Sequence, residues 1–413
     1  MQLHLHGIGL GKDNLSATQW LDAMNKSLAP TALMLGNVVT GLAIMSPAGM
    51  LGDLSAGLGV SVRQAGLLIT FGAVVLCIGS PLMTWLTSRV DRRWLLASTM
   101  LGIAVTHGVA LAVPDYAAML ALRLVMLAIA AVFTPLAAGT AALLVPEERR
   151  AATIVYVFLG WSLAFAIGMP LVTFSAAHVG WRETLLAIGV LALVVSLLIL
   201  AFVPRGLTGA PVQLRTWIVL GRNRLIVLLL LITTLQIAGQ FCVFTFIGPL
   251  LTRIANATPE WIGVAFALFG ICGFVGNVLA LRVVSAIGPF WTSVFYLAIL
   301  LVGAALWSAG ATSAVLAVML MGNATWGFGF AAMNSMQQTR LVGAAPEFAS
   351  ASVALNTSVL YIGQAIGSGI GGWLFERGEL LRNGYVAIGF LVLAGLALAF
   401  TRPPQVKLRA RVA

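Results

Sequence analysis

Apolar residues run along this chain in long, nearly unbroken stretches. Twelve of them reach the roughly 20 residues an α-helix needs to cross a hydrocarbon layer. They fall near 30–52, 65–87, 94–113, 117–145, 151–176, 183–203, 225–250, 261–281, 291–309, 314–338, 350–375 and 385–402. Short polar connections separate them. The longest internal polar stretch, 204–224, carries Pro204, Arg205, Pro211, Arg215, Arg222 and Arg224, and divides the spans six and six. The pattern predicts an all-α membrane protein with 12 transmembrane helices in two six-helix halves. Its predicted parts are an N-terminal segment (1–29), an N-terminal half (30–203), a linker (204–224), a C-terminal half (225–402) and a tail (403–413).

Composition narrows the class further. Of the 413 residues, 60% are hydrophobic and 8% are charged, where a soluble domain has about 25% charged residues. Few residues lie outside the spans, which leaves no room for a soluble catalytic domain. A net charge of +11 would suggest nucleic acid in a soluble protein, but here the basic residues gather in alternate connections. With both termini in the cytoplasm, seventeen basic residues fall on that side. Only Arg63, Arg182, Arg253, Arg377 and Arg382 fall opposite. The positive-inside rule therefore predicts cytoplasmic termini. The expected location is a bacterial cytoplasmic (inner) membrane, multi-pass, with the lipid bilayer rather than nucleic acid as partner. Residues 1–29 hold no short apolar core before a small-residue cleavage site, so no cleavable signal is expected. Cys77, Cys242 and Cys272 sit in apolar spans without metal spacing and are read as packing residues.

Arg123 is the one charge in nearly thirty apolar residues after Tyr116. An arginine in hydrocarbon costs about 3 kcal/mol on insertion scales. It must snorkel to the interface or face a polar cavity within the bundle. The twelve carboxylates all map to connections or span ends, so no acid is placed at mid-membrane. Beside Arg123, the candidates for proton coupling are His107 in span 3 and Asp53 at the end of span 1.

Uncharged polar residues inside spans are costly unless they meet a partner or a cavity. The candidate substrate-binding set is Asn37, Arg123, Trp161, Gln236, Gln240, Asn323, Trp326, Asn334, Asn356, Tyr361 and Gln364. Gln236 and Gln240 lie one turn apart on one face. Each of these groups could equally serve as an interhelical hydrogen bond. Taken together they suit a neutral or weakly polar amphipathic solute, or an anion facing Arg123, and suit a dication poorly. No phosphate-binding glycine loop, metal cluster or nucleophile beside a base is present. The chain is expected to be neither an enzyme nor a holder of a metal or other cofactor.

Several motifs, in order, carry a resemblance over about 30–402. They are Asp53-Leu-Ser-Ala-Gly-Leu-Gly-Val-Ser61; Gly79-Ser-Pro through Arg89-Val-Asp-Arg-Arg93; Arg123 early in span 4; Val145-Pro-Glu-Glu-Arg-Arg150; Gly168-Met-Pro170; Gly180-Trp-Arg182; Gln338-Thr-Arg-Leu341; and Ala354 through Gly367. With these the chain resembles the major facilitator superfamily, and within it the twelve-span drug:proton antiporter branch, in the arabinose-efflux-permease-like group. The resemblance implies a monomer that exports a small molecule by alternating access in exchange for protons. The cargo would be a drug-like amphiphile, a sugar or a nucleoside. The alternative is an uncoupled facilitator or importer of a small neutral or anionic solute. Gly79, Arg89, Asp91, Arg92, Arg93, Gly160, Gly168 and Pro170 would be gating elements, the glycines for close helix contact and Pro170 for bending. The chain departs from the family pattern at Ser88, where an acid is usual, at Asp91, where a glycine is usual, and at Ile44, where many members carry a glutamate.

Overall fold

The computed structural model describes residues 17–87, 90–208 and 219–402. Among them it is helical throughout, without strands. The N-terminal helices are α1 (Ala17–Gly49), α2 (Leu51–Gly57), α3 (Val62–Leu86), α4 (Arg92–Val109), α5 (Tyr116–Ala130), α6 (Phe133–Leu143), α7 (Glu147–Leu163), α8 (Met169–His178) and α9 (Trp181–Phe202). The C-terminal helices are α10 (Arg224–Phe244), α11 (Ile247–Ala255), α12 (Pro259–Ser313), α13 (Leu316–Ala344), α14 (Ala349–Glu376) and α15 (Arg382–Ala399).

Ten helical segments are long and apolar enough to cross a membrane among the described residues. They follow the sequence pattern closely. The stretches near 261–281 and 291–309 form two helices within α12, separated at Gly288, whose φ of 76° no helix contains; the Tyr296 hydroxyl donates to the Gly276 carbonyl at 2.8 Å, so the second folds back against the first. Pro289 follows Gly288 and cannot donate a hydrogen bond to the preceding turn. The stretch near 350–375 forms the 28-residue α14 but lies outside the ten, because it carries buried polar residues: Ser352, Asn356, Gln364 and Ser368.

Helix ends are set by local chemistry. Asp91 caps α4 by accepting from the Arg93 and Trp94 amides, Asp115 caps α5 at Ala118, and Asn223 caps α10. Each satisfies donors that a helix start leaves free. The lipid-facing surface keeps its apolar residues exposed, among them Ile78, Val105, Leu197, Leu281 and Leu396. In water such a surface would be an aggregation hazard, and in a bilayer it is the solvated face.

One end of the molecule, called proximal here, holds the start of α4, the end of α9 and the start of α10. The distal end holds α2, the start of α3 and the ends of α8 and α14. The N-terminal and C-terminal bundles meet mainly through α3 against α14, and through α8 and the preceding turn against α12.

Candidate functional site

The turn before α8 is a π-helical segment, Ala164–Gly168. Pro170 lacks an amide hydrogen, so the helix cannot close its regular bond to the Ala166 carbonyl. A wider turn absorbs the defect. α12 reaches this turn closely because Gly270 has no side chain. A Cβ there would stand 2.6 Å from the Ala166 Cα. Phe165, carried on the π turn, meets Phe244 edge-on at 5.7 Å and Phe269 at 5.6 Å. Trp161 lies behind it at 6.3 Å, and Phe330 extends the cluster from Phe269 at 5.5 Å. An aromatic cluster therefore joins the two bundles at mid-depth. Sequence reasoning did not single out Phe165, Phe244 or Phe269, since aromatic residues in apolar spans carry no distinguishing local signal.

The polar residues on either side of that cluster are treated differently. In the N-terminal bundle, Asn37 Nδ2 donates to the Val157 carbonyl at 3.0 Å, and its Oδ1 accepts from Thr134 at 2.9 Å. Trp161 Nε1 donates to Thr134 Oγ1 at 3.3 Å. The chain of bonds links α1, α6 and α7, and both groups are satisfied. Gly160 allows the approach, since a Cβ there would lie 2.8 Å from that of Asn37.

In the C-terminal bundle a seam of amides runs along α10 and α14. Thr233 donates to Asn356 Oδ1 at 2.8 Å. Gln236 and Gln240 follow on the same face of α10, and Gln364 follows Asn356 two turns on along α14. All four amides are buried. Gln236 makes no hydrogen bond at Oε1 or Nε2, and Gln240 Oε1, Gln364 Oε1 and Asn356 Nδ2 are likewise unpaired. Each such group costs about 1–3 kcal/mol, and native proteins rarely bury them without purpose. Trp326 Nε1 and Asn334 Oδ1 on α13 are also unpaired. Asn323, by contrast, donates to the Ala265 carbonyl at 2.6 Å and ties α13 to α12. Tyr361 is half-buried on α14.

Arg123 neither snorkels nor faces the interface between the bundles. It is buried and donates to the carbonyls of Ala43 and Ile44 on α1, each at 2.5 Å. The reason lies four residues beyond Ala43. Pro47 has no amide hydrogen, so the Ala43 carbonyl has no partner within its own helix. Ile44 likewise presents its backbone oxygen to the arginine. His107 is buried nearby on α4, bonded through Nδ1 to the Ile103 carbonyl at 2.8 Å. Its Nε2 has no partner, and its Cβ would be 2.9 Å from one placed on Gly189.

At the proximal end, Asp91 accepts from the Gly206 amide at 2.5 Å in addition to capping α4. The Arg92 amide donates to the Leu207 carbonyl at 2.8 Å, and Arg93 donates to the Leu200 carbonyl. These residues bind the segment that follows α9, and no bond from them crosses to the C-terminal bundle among the described residues. Arg89 lies outside the described residues. Gly79 meets Ala131, and Gly168 meets Leu42.

The distal end is where the bundles are tied. Arg63 and Glu376 form an ion pair, Thr70 Oγ1 lies 2.8 Å from Ser368 Oγ, and His178 Nε2 lies 3.6 Å from Glu260 Oε1. Phe246 fits between Gly66 and Gly372. All cross-bundle ion pairs and hydrogen bonds recorded among the described residues lie here. A cavity of about 320 Å³ remains at this end, lined by Asp53, Thr173 and Arg253 among others. Partial burial raises the pKa of the Asp53 carboxyl above its ordinary value.

Two packed helical bundles, one of them carrying a seam of buried unpaired amides, have the form of a membrane transporter. The sequence profile of the Major Facilitator Superfamily matches residues 33–368, and the chain belongs to that family. It is 28% identical over 369 residues to the inner membrane transport protein YdhP of Escherichia coli K12, covering 89% of this chain and 93% of that protein. A probable sugar efflux transporter of Mannheimia succiniciproducens is 25% identical, covering 87% of this chain and 91% of that one. The crystal structure of the nucleoside transporter NupG superposes with a TM-score of 0.72 at 12% identity, over 91% of this chain and 98% of that one. The chain is a multi-pass membrane transporter for a small-molecule substrate, not an enzyme.

Proposed function

We propose that this protein exports a small, uncharged, hydrogen-bonding solute from the cytoplasm by alternating access, in exchange for protons. The observation that carries the substrate class is the unpaired amide seam of Gln236, Gln240, Gln364 and Asn356 beside an aromatic cluster. Amides offer donors and acceptors without charge, and ring faces accept the apolar side of a sugar, a nucleoside or a drug-like amphiphile. Asn334, Trp326 and Tyr361 extend the seam in this reading, while Asn37, Trp161 and Asn323 hold helices in register. A relative named as a sugar efflux transporter supports export and this class of cargo.

In this reading twelve spans form two six-helix halves about the 204–224 linker, with both termini cytoplasmic and a monomer as the working unit. The distal ties then seal the outer side, and the proximal end opens to the cytoplasm. Asp53 and His107 are the titratable candidates for coupling. Arg123 sets the pose of α1 through the carbonyls of Ala43, which Pro47 leaves free, and of Ile44.

One observation favours an uncoupled facilitator as the second reading. Every described carboxylate sits at a helix end, in a connection or in the polar first turns of α1. Coupled transporters commonly use a buried one. Proteoliposomes loaded with labelled sugars, nucleosides and amphiphiles, with and without an imposed pH gradient, test both. Gradient-driven efflux supports the antiporter. Equal fluxes with and without the gradient leave the facilitator. No flux of any uncharged solute defeats both.

A further inference from the structure

We propose that His178 and Glu260 form a pH-operated clasp that holds the distal end shut in acid and releases it as the pH rises. The two residues come from different bundles, His178 from the last turn of α8 and Glu260 from the first turn of α12. The imidazole is fixed in place twice. Its ring stacks on Phe174 at 4.2 Å with an interplanar angle of 24°. Its Nδ1 lies 2.9 Å from the Phe174 carbonyl, which can only accept a hydrogen bond, so Nδ1 carries a proton. In the neutral ring Nε2 then holds a lone pair, and that lone pair faces the Glu260 carboxylate at 3.6 Å. Protonation places an N–H at Nε2 and a positive charge on the ring. The contact changes from repulsion to a charge-assisted attraction.

The remaining charges near α8 do not compete for the ring. α8 packs against α1, α9 and α12. The described span of α1, Leu28–Gly49, has no ionisable side chain. On α9, Arg182 stacks over Trp181 and donates to the Val113 carbonyl, and Glu183 folds back on Gly180. Asp53 lines the neighbouring cavity, and Arg253 lies over the Phe375 ring. The second cross-bundle ion pair, Arg63–Glu376, joins a guanidinium to a carboxylate and involves no imidazole. One tie is therefore permanent and the other is conditional.

The sign follows by linkage. The distal-closed state gains the attraction only when His178 is protonated, so closure takes up a proton. Closure is favoured while the imidazole holds its second proton and loses that contribution when the proton leaves. The proton is exchanged with the side that the distal end faces, so the clasp regulates opening without itself carrying protons across.

The proposal rests on the alternating-access reading, and one experiment separates the two. Val179→Cys and Trp261→Cys, both exposed positions, are spin-labelled in a chain whose Cys77, Cys242 and Cys272 are alanine. Distances are measured in nanodiscs at pH 5.5 and pH 8, in otherwise wild-type protein and with Arg63→Gln to enlarge the open population. The expected result is a longer-distance population about two- to five-fold larger at pH 8, the range given by an exposed ion pair. His178→Gln and Glu260→Gln should each show no pH response. A population of equal size at both pH values, or a response that survives His178→Gln, overturns the clasp. A distal end that stays shut in every sample overturns the clasp and the alternating-access reading together.

Discussion

Two buried polar clusters, one in each bundle, use their side chains in opposite ways. In the N-terminal bundle Asn37, Thr134 and Trp161 satisfy one another and the Val157 carbonyl, and Arg123 is held by two carbonyls of α1. In the C-terminal bundle Gln236, Gln240, Gln364 and Asn356 are equally buried yet leave hydrogen-bonding atoms unpaired. The same residue types thus join helices on one side and, in the proposed function, recognise the solute on the other. A hydrogen bond contributes about 1 kcal/mol net when made, whereas an unmet buried group costs about 1–3 kcal/mol. The Asn37 cluster gains stability from its polar residues, and the amide seam gives stability up.

The largest test of this contrast is Arg123→Ala. Loss of two charge-assisted bonds should destabilise the protein by about 2–4 kcal/mol, seen as a lower melting temperature in detergent. Transport should fall at least about tenfold with membrane insertion intact. Wild-type melting and flux together would remove Arg123 from both stability and mechanism. Pro47→Ala sharpens the point, because it returns an amide donor to the Ala43 carbonyl. That competitor should reproduce part of the loss.

The next test sets matched substitutions against each other. Asn37→Leu should destabilise by about 1–3 kcal/mol, since it strands Thr134 and the Val157 carbonyl. Gln236→Leu should leave melting unchanged or raise it, by removing an amide that has no partner, while raising KM for the solute at least about tenfold. If both substitutions lower melting equally, the contrast between the bundles fails. Substitution of Phe165 by alanine should have a similar effect, about 1–3 kcal/mol through lost ring contacts, and should weaken binding of solutes with an apolar face more than that of polyols.

The smallest expected effect belongs to Asp53. Its pKa is raised by partial burial from an ordinary 3.8, so the folded protein binds its proton more tightly than the unfolded chain does. Stability associated with Asp53 is therefore present at low pH and lost as pH rises above that value. Asp53→Asn should melt slightly above wild type at pH 7, with the gap closing near pH 4. A gap that widens in acid would show that Asp53 is stabilised by a partner rather than penalised by burial.

Most of the helical chain could be read from the sequence, since each apolar run of sufficient length became helical, some of them as two segments. Gly288 ends one helix of α12 and Pro289 starts the next, as the gap between two apolar runs predicts. α14 was the harder case, because it hides its polar face inside the protein. The candidate site was legible only as an inventory. Gln236 and Asn37 look alike in sequence, each a lone amide in an apolar run, and nothing local says which one is satisfied. His178 and Glu260 gave still less signal, as ordinary residues at helix ends in different bundles.

What the amino-acid sequence determined by itself is the environment and the class. Long uncharged runs must be helices in lipid, because no other open structure meets its own backbone hydrogen bonds there, and the order of motifs carries the family. What only the tertiary structure decided is which polar atoms meet. Arg123 and Ala43 are 80 residues apart, Asn37 and Val157 are 120 apart, and Arg63 and Glu376 are 313 apart. A hydrogen bond is made or lost within a few tenths of an ångström, so partnership at such separations depends on how the helices pack and not on any pattern along the chain.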